Sequence, residues 1–499
     1  MFVLKLKIIF ELKNFIFLVT IGLISYSTYG QHQLDSIKAA EDFTVFQKIL
    51  TEGHPALYEY ISKDSLSHLF SSQRNKISDS TTDIDLYKSL VTITSPIGDG
   101  HLQLFAPNTL KTESYYFPLI LKIIDSEFYT DTKDFGIPIG SKIVEINEIK
   151  TATLLQKFKK YISSDGYNNT RKYRDIELKF GLYFAYEFGI TKKFEIKYKT
   201  PGSEEIKSIT LDAEPFIRVR LRNAKRNSYF HPFHKNTDTI QYFEDRISNK
   251  NPYVYYKKNL KTAILVVNSF SGDIKIFKST LIKIFKEINK KKIEHLIIDV
   301  RNNDGGYRPN AIHLFSFITD NIFKQRTKEF VATLKIPEKD YVIKTLGDEN
   351  LFLKAKFNQH PVIDGWEIKF DELETIMVPE KNRFTGKVYV LTSGTTFSAG
   401  TEFVLNAKND PEIMVLGEET GGGYYQHLGE FPVYYELPNS KIIMVISLEK
   451  IEHFVKDQFV TKGSGILPDK FISMHLNDLI TGTDPLLKYL YQLIRVNKN

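Results

Sequence analysis

Gly386-Lys-Val-Tyr-Val-Leu-Thr-Ser-Gly-Thr-Thr-Phe-Ser-Ala-Gly-Thr-Glu402 runs an apolar stretch, rich in β-branched and aromatic residues, into a turn of small hydroxyl residues and glycine. Val388 to Leu391 is long enough for a buried core strand. Ala399-Gly-Thr-Glu-Phe-Val-Leu-Asn-Ala407 has the small and apolar spacing of a helix packed on a sheet. Ser398 stands at the join. A serine there projects from the carboxyl end of a sheet beside the first free N–H groups of a helix, where a nucleophile and part of an oxyanion hole can be built together. The plainer alternative is a helix N-cap, the commonest role of serine at such a join.

Working outward, the neighbouring segments repeat the strand-then-helix alternation. Ala263 to Val267 reads as a strand, Ile274 to Ile288 as an amphipathic helix, Leu296 to Val300 as a strand, and Pro309 to Phe317 as a helix after a glycine turn. This order predicts a largely parallel sheet covered on both faces, with active loops at the strand carboxyl ends. Two such ends stand out, Arg301-Asn-Asn-Asp-Gly-Gly306 and Thr392 to Ser398. The first lacks the ligand register and closing glutamate of a calcium loop. Gly417-Glu-Glu-Thr-Gly-Gly-Gly423 lacks the Lys-Ser/Thr pair of a phosphate loop. Both read instead as places where backbone approaches a substrate closely.

Ahead of the α/β region, residues 115–212 are strand-rich. Gly140-Ser-Lys-Ile-Val-Glu-Ile-Asn147 followed by a helix from Ala152 to Phe158 resembles a PDZ domain, which takes up an extended peptide as an added edge strand. Residues 213–258 are polar, basic and aromatic, and read as a linker or lid. His231-Pro-Phe-His234 within them has no third ligand at metal spacing, so a loop is the reading. From Leu34 to Thr94 the apolar residues recur at helical spacing, broken at Gly53-His-Pro-Ala56, with His54 read as a structural helix-end residue. Asp99-Gly100-His101 then closes a turn, and His101-Leu-Gln-Leu-Phe105 alternates as a strand. His101, held by that turn, is a candidate general base.

The 499-residue length calls for two or three domains, and 42% apolar with 25% charged residues describes a folded protein. The net charge of +7 is dispersed, leaving no footprint for nucleic acid. Cysteine is absent, which excludes disulfides, thiolate zinc sites and a cysteine nucleophile. Lys5, Lys7 and Lys13 precede the apolar run Phe15 to Ile24 and then small residues up to Gly30, the layout of a secretory signal peptide. That run is shorter than the ~20 residues of a membrane-spanning helix. Export, with no stable membrane insertion after cleavage, is the expectation.

Leu296 to Gly306, Val390 to Glu402, Leu416 to Gly422 and Gly463-Ser-Gly-Ile-Leu-Pro-Asp469, in this order, resemble the core motifs of the S41 family of serine peptidases, which includes the tail-specific proteases and the tricorn core protease. The resemblance implies a ClpP/crotonase-like α/β core over 259–480. A PDZ-like module over 115–212 and a small helical domain over 31–100 precede that core, and a C-terminal helix over 481–499 follows it. It implies an exported peptidase acting on peptides or unfolded proteins, with no cofactor and no metal. Ser398 would be the nucleophile, and Gly305 (or Gly306) and Ala399 the oxyanion donors.

The tail-specific branch resembles a Ser-Lys dyad, but Gly423 stands where its lysine would be. The tricorn-like branch places a histidine before the PDZ segment, as His101 stands here, so the resemblance assigns the base to His101. That branch also has a supporting glutamate just before the last motif, where this chain has Lys462 and Gly463. Glu449, Glu452 and Asp457 are the candidates to replace it, while Asp99 is expected to point away. A lysine base, Lys450 first, is the fallback. A non-catalytic protein binding a hydrophobic ligand or peptide on the same fold is the alternative. With neutral surroundings, the His101 pKa is expected near ~6.5.

Overall fold

The structure is a computed structural model that describes residues 33–107, 115–223, 225–227, 251–345 and 349–496. The signal-like residues 1–30 and the pair His231 and His234 lie outside the described residues.

Among the described residues three helices come first: α1 (Ser36–Gly53), α2 (Lys63–Arg74) and α3 (Asp83–Thr94). Each starts where a short polar side chain captures a free N–H. Asp35 accepts from Lys38, Ser62 from Ser65, and Thr82 and Asp85 make a reciprocal capping box. Their apolar stripes do not close on one another. Phe43, Phe46, Ile49 and Leu50 belong to one cluster with Val433, Met444, Ile446 and Leu448, from a hairpin near the other end of the chain. The fully buried Asp42 carboxylate accepts both the Ser440 N–H (2.7 Å) and its hydroxyl (2.5 Å), fastening α1 to that hairpin.

Residues 115–223 form an antiparallel meander of β1 (Leu121–Ile124), β2 (Glu127–Thr130), β3 (Lys142–Ile146), β4 (Lys193–Lys199) and β5 (Lys207–Asp212). Between β3 and β4 lie α4 (Thr151–Phe158) and the longer α5 (Thr170–Phe188). The short strand and helix predicted from sequence are present, and α5 is an addition to them. It packs along β1, the edge strand, and its Glu177 and Arg174, joined by Arg226 from further along the chain, take the groups an added strand would need. Ile123 N–H donates to Glu177 (2.8 Å), Arg174 donates to the Ile123 carbonyl (3.3 Å), and Arg226 donates to the Leu121 carbonyl (2.9 Å). Side chains of the same chain therefore occupy this edge of the sheet.

From Tyr253 onward come β6 (Tyr253–Lys257), β7 (Thr262–Val266), α6 (Ile274–Lys290), β8 (His295–Asp299), α7 (Arg308–Ser316), β9 (Arg326–Val331), β10 (Lys387–Thr392), α8 (Ala399–Asn409), β11 (Ile413–Gly417), β12 (Gln426–Glu436), β13 (Ile443–His453), β14 (Lys470–Phe471) and α9 (Pro485–Val496). The order β6-β7-β8-β10-β11-β14 is parallel from β7 on, as the alternation predicted. Helices α6, α7 and α8 cover one face, and α9 covers the other with Leu486, Leu487, Leu490 and Ile494. The C-terminal helix therefore occupies 485–496 of the expected 481–499. A second, antiparallel sheet was not anticipated. It is built on the long β12–β13 hairpin with β9, and the short strand Gln103–Phe105 joins it by pairing with β13.

Glu177 is fully enclosed and shared by Lys122 (3.0 Å), Arg174 (2.5 Å) and the Ile123 N–H. Removing one member of a buried charge cluster leaves the others uncompensated. Glu177→Ala should therefore lower unfolding free energy by about 3–5 kcal/mol in urea titration.

Candidate active site

Ser398 sits where β10 hands over to α8. The turn is tied by Thr396, whose hydroxyl donates to the Val300 carbonyl (2.8 Å), and by Phe397 N–H, which donates to the Asn303 carbonyl (3.0 Å). Ser398 itself has φ 52° and ψ −127°, a left-handed conformation that strains a non-glycine residue by about 1–3 kcal/mol. Its hydroxyl makes no capping bond to α8. The capping alternative is thus set aside, because the side chain points to an open cavity of about 490 Å³ lined also by Gly306, Ala399, Glu402, His427 and Gly429.

The glycine turn after β8 lies directly against this serine. A Cβ on Gly305 would stand 2.7 Å from the Ser398 Cβ, and one on Gly400 would stand 2.8 Å from the Asn303 carbonyl oxygen. Gly305 and Gly306 both have positive φ, 108° and 126°, as this approach requires. Gly305 was the expected oxyanion donor, but its N–H is taken by the Asn303 side chain (2.9 Å). The neighbouring Gly306, the other donor expected, has no N–H bond among the described residues and lines the cavity together with Ala399.

His101 reaches the site through the pairing of Gln103–Phe105 with β13. Asp99 turns back to accept the His101 N–H (2.8 Å), and its other oxygen lies 3.2 Å from Nε2 of the buried His54, which caps the end of α1. Asp165 accepts from Gly100 (2.7 Å) and from Gly423 (2.9 Å), stitching the histidine turn to the third glycine loop. The His101 ring stacks on Phe397 with centroids 4.5 Å apart, and both ring nitrogens are sealed from solvent without a hydrogen-bond partner. No hydrogen bond joins it to Ser398 among the described residues. Burial pushes its pKa down to about 4, with Asp99 opposing, so the value near 6.5 expected for neutral surroundings is corrected downward.

The carboxylates nearest His101 are Asp99 and Asp165, each with an oxygen within 4.8 Å of a ring nitrogen. Of the three candidates named from sequence, Glu449 shares a hydrogen bond with Glu329, Glu452 lies by Lys450 (3.7 Å), and Asp457 accepts the Phe459 N–H (2.9 Å). None of them bonds to His101. Lys450 itself is 3.6 Å from Glu59.

Sequence reasoning missed a second group beside Ser398. Glu402, in the first turn of α8, is fully enclosed and held by Arg326 (2.9 Å) and Arg308 (3.5 Å), which keep its carboxyl far below the usual range against the opposing effect of burial. His427 on β12 and His453 on β13 stand next to it, their rings joined Nδ1 to Nε2 at 2.7 Å. The only sequence signal for Glu402 was its place one turn after the serine. The two histidines carried none, because their meeting depends on the register of the hairpin.

The geometry can be set beside known proteins. Residues 261–469 match Peptidase family S41. That span, which holds Ser398 and the glycine turn Gly305–Gly306, carries the sequence pattern of that family. Over a longer span the structure is similar to mature CPAF complexed with lactacystin, with 16% identity, 92% of this chain and 98% of that chain covered, and a TM-score of 0.61. Mature CPAF alone gives 15% identity, coverage of 92% and 96%, and a TM-score of 0.59. At such identity the likeness speaks for the fold. None of the curated proteins matches the sequence.

Asp165→Ala strands the Gly100 and Gly423 N–H groups, each worth about 1–3 kcal/mol when buried and unsatisfied. The variant should show a clearly lower urea midpoint. Because the folded His101 pKa lies below its unfolded value, protonation favours the unfolded chain. The stability tied to His101 should be whole above pH 6.5 and decline toward about 4, a trend that His101→Gln should flatten.

Proposed function

We propose that the protein is an exported serine-type peptidase that cleaves peptides or unfolded proteins, with Ser398 as nucleophile and His101 as its general base. The observation that carries this reading is the strained, uncapped Ser398, set in a cavity between the free N–H groups of Gly306 and Ala399. The His101 ring turns off Phe397 to accept the Ser398 proton, such bonds commonly tightening only when substrate is present. Ser398 then attacks the carbonyl, and the oxyanion faces Gly306 and Ala399, each donor contributing roughly 3–4 kcal/mol. His101 passes its proton to the departing amine. The signal-like leader supports export, and among the described residues no helix is long and apolar enough to cross a membrane.

Residues 115–212 are read as a PDZ-like module that positions the site. Because α5 closes its β1 edge, the role is architectural: Asp165 and Arg171 reach from it to the catalytic loops, the Arg171 guanidinium lying 3.7 Å from the Phe397 ring centre.

One observation favours the alternative of a hydrophobic-ligand protein. A second cavity of about 520 Å³ lies between the module and the core, with Tyr116, Phe117, Leu119, Phe180 and Phe216 on one side and Asn302, Asp304 and Thr395 on the other. A fluorophosphonate probe separates the two readings, since only a nucleophile is labelled. Wild type should label, Ser398→Ala should not, and lactacystin, which the CPAF structure holds, should compete.

Ser398→Ala, His101→Ala and the double variant should lose hydrolysis of an unfolded protein to similar extents, since residues acting as one unit are not additive. With a base titrating well below 6.5, kcat/KM should hold down to about pH 5. A folded His101→Ala that keeps more than about a tenth of the rate removes His101 from the mechanism, general-base assistance being worth 10²–10⁴-fold.

A further inference from the structure

His427 has no part in that scheme, yet its environment is built with unusual care. The ring is 4% exposed, and the network holding it has one end whose direction is fixed. The Tyr424 carbonyl only accepts, so His453 Nδ1, 2.9 Å away, carries a hydrogen. In the neutral ring Nε2 must then accept, and the atom 2.7 Å from it is His427 Nδ1. His427 Nδ1 is therefore the donor, and its Nε2 keeps a lone pair. That Nε2 has no hydrogen-bond partner among the described residues. Unlike both His101 nitrogens, it is not sealed from solvent, and His427 lines the cavity that Ser398 lines.

Gly429 stands between the two histidines. A Cβ there would fall 2.9 Å from His427 Nε2 and 3.1 Å from His101 Nε2, so a side chain at this position would crowd both rings. The ring centres are 5.5 Å apart. Around His427 the charged and titratable groups are Glu402 on α8, Arg326 on β9, His453 on β13 and His101. Burial keeps the ring neutral, and the Glu402 carboxylate is the chief group favouring the imidazolium once a proton arrives. A neutral, fixed-tautomer ring with a counter-charge behind it has the make-up of a general base.

We propose, resting on the serine-peptidase reading, that His427 is the base of the second half-reaction: it activates the water that hydrolyses the Ser398 ester, while His101 serves the first attack. The division follows from access. Water enters from the cavity, and His427 presents a nitrogen to it whereas His101 does not. In the step, a water proton passes to His427 Nε2 as the water oxygen bonds to the acyl carbon, and the carbonyl pair moves to the oxygen facing Gly306 and Ala399. Collapse breaks the bond to Ser398 Oγ, and the His427 imidazolium returns its proton to that oxygen. Ester and water become acid and free serine, with no other reactant needed.

The test uses p-nitrophenyl acetate on the full protein, with the fast release of nitrophenolate read separately from the steady rate. His427→Gln should keep a burst of about one nitrophenolate per active serine, at close to the wild-type rate, while its steady rate falls at least 10²-fold and the acetyl-enzyme accumulates by intact mass. His427→Asn, whose shorter amide cannot take up the water proton and leaves the space at Gly429 open, should change the same way and decides alone if His427→Gln does not melt cooperatively. Steady rates within about threefold of wild type overturn the proposal. Loss of the burst together with the steady rate in a variant that still melts cooperatively also overturns it, since His427 would then serve the attack. A burst that survives in Ser398→Ala is a different failure, that of the nucleophile assignment itself.

Discussion

Two backbone loops touch at the carboxyl ends of β8 and β10, and nearly everything at the site depends on their being able to. Gly305 rests on the Ser398 Cβ, Gly400 on the Asn303 carbonyl, and Phe397 N–H is bonded to that same carbonyl. Any side chain at either glycine would drive the loops apart. With the loops in contact, the left-handed turn at Ser398 is held by bonds on both sides, and the N–H groups of Gly306 and Ala399 are left facing one cavity. The strain is local, while its support comes from two strands of the sheet and from the Asn303 side chain, which also donates to Val267 (3.0 Å).

A second constraint is electrical. The histidines around the serine are enclosed and held neutral, while full charges sit one layer back in the Glu402–Arg326–Arg308 group. A neutral imidazole accepts a proton. An ion pair already formed behind it can stabilise the resulting cation without reorganising, the condition under which fixed charges act most strongly in a dry site. Glu329 and Glu449 close the far wall with a shared hydrogen bond, and burial beside a second carboxylate pushes the Glu449 carboxyl well above its usual range.

The parallel sheet was legible because its evidence is local. Val388 to Leu391, Leu296 to Asp299 and Ala263 to Val266 are apolar runs ending in turn chemistry, and each is the strand it appeared to be. Ser398 was legible for the same reason. His101 could be named only by its place in chain order within a family resemblance, since no local pattern joins it to a serine so far along the chain. His427, His453 and Asp165 were invisible because strand register and loop packing, which bring them together, leave no period in the sequence. Glu177 and Arg174 read as surface charges on a helix, and only the structure shows that they face a strand edge. Which of Gly305 and Gly306 keeps an unbonded N–H turns on one amide, Asn303, whose orientation composition cannot reveal.

The pairing of Gln103 with Val445 has a consequence for when the molecule becomes dangerous to its surroundings. The strand just after His101 has no partner among the described residues until β13 exists, and α1 has no floor to pack on until the same hairpin folds beneath it. A chain still emerging from the ribosome holds His101, then Ser398, with nothing to bring them together. Closure of contacts this distant in sequence is the slow, late part of folding. The contact that brings His101 toward Ser398 is therefore completed only by nearly the last of the described strands to be synthesised.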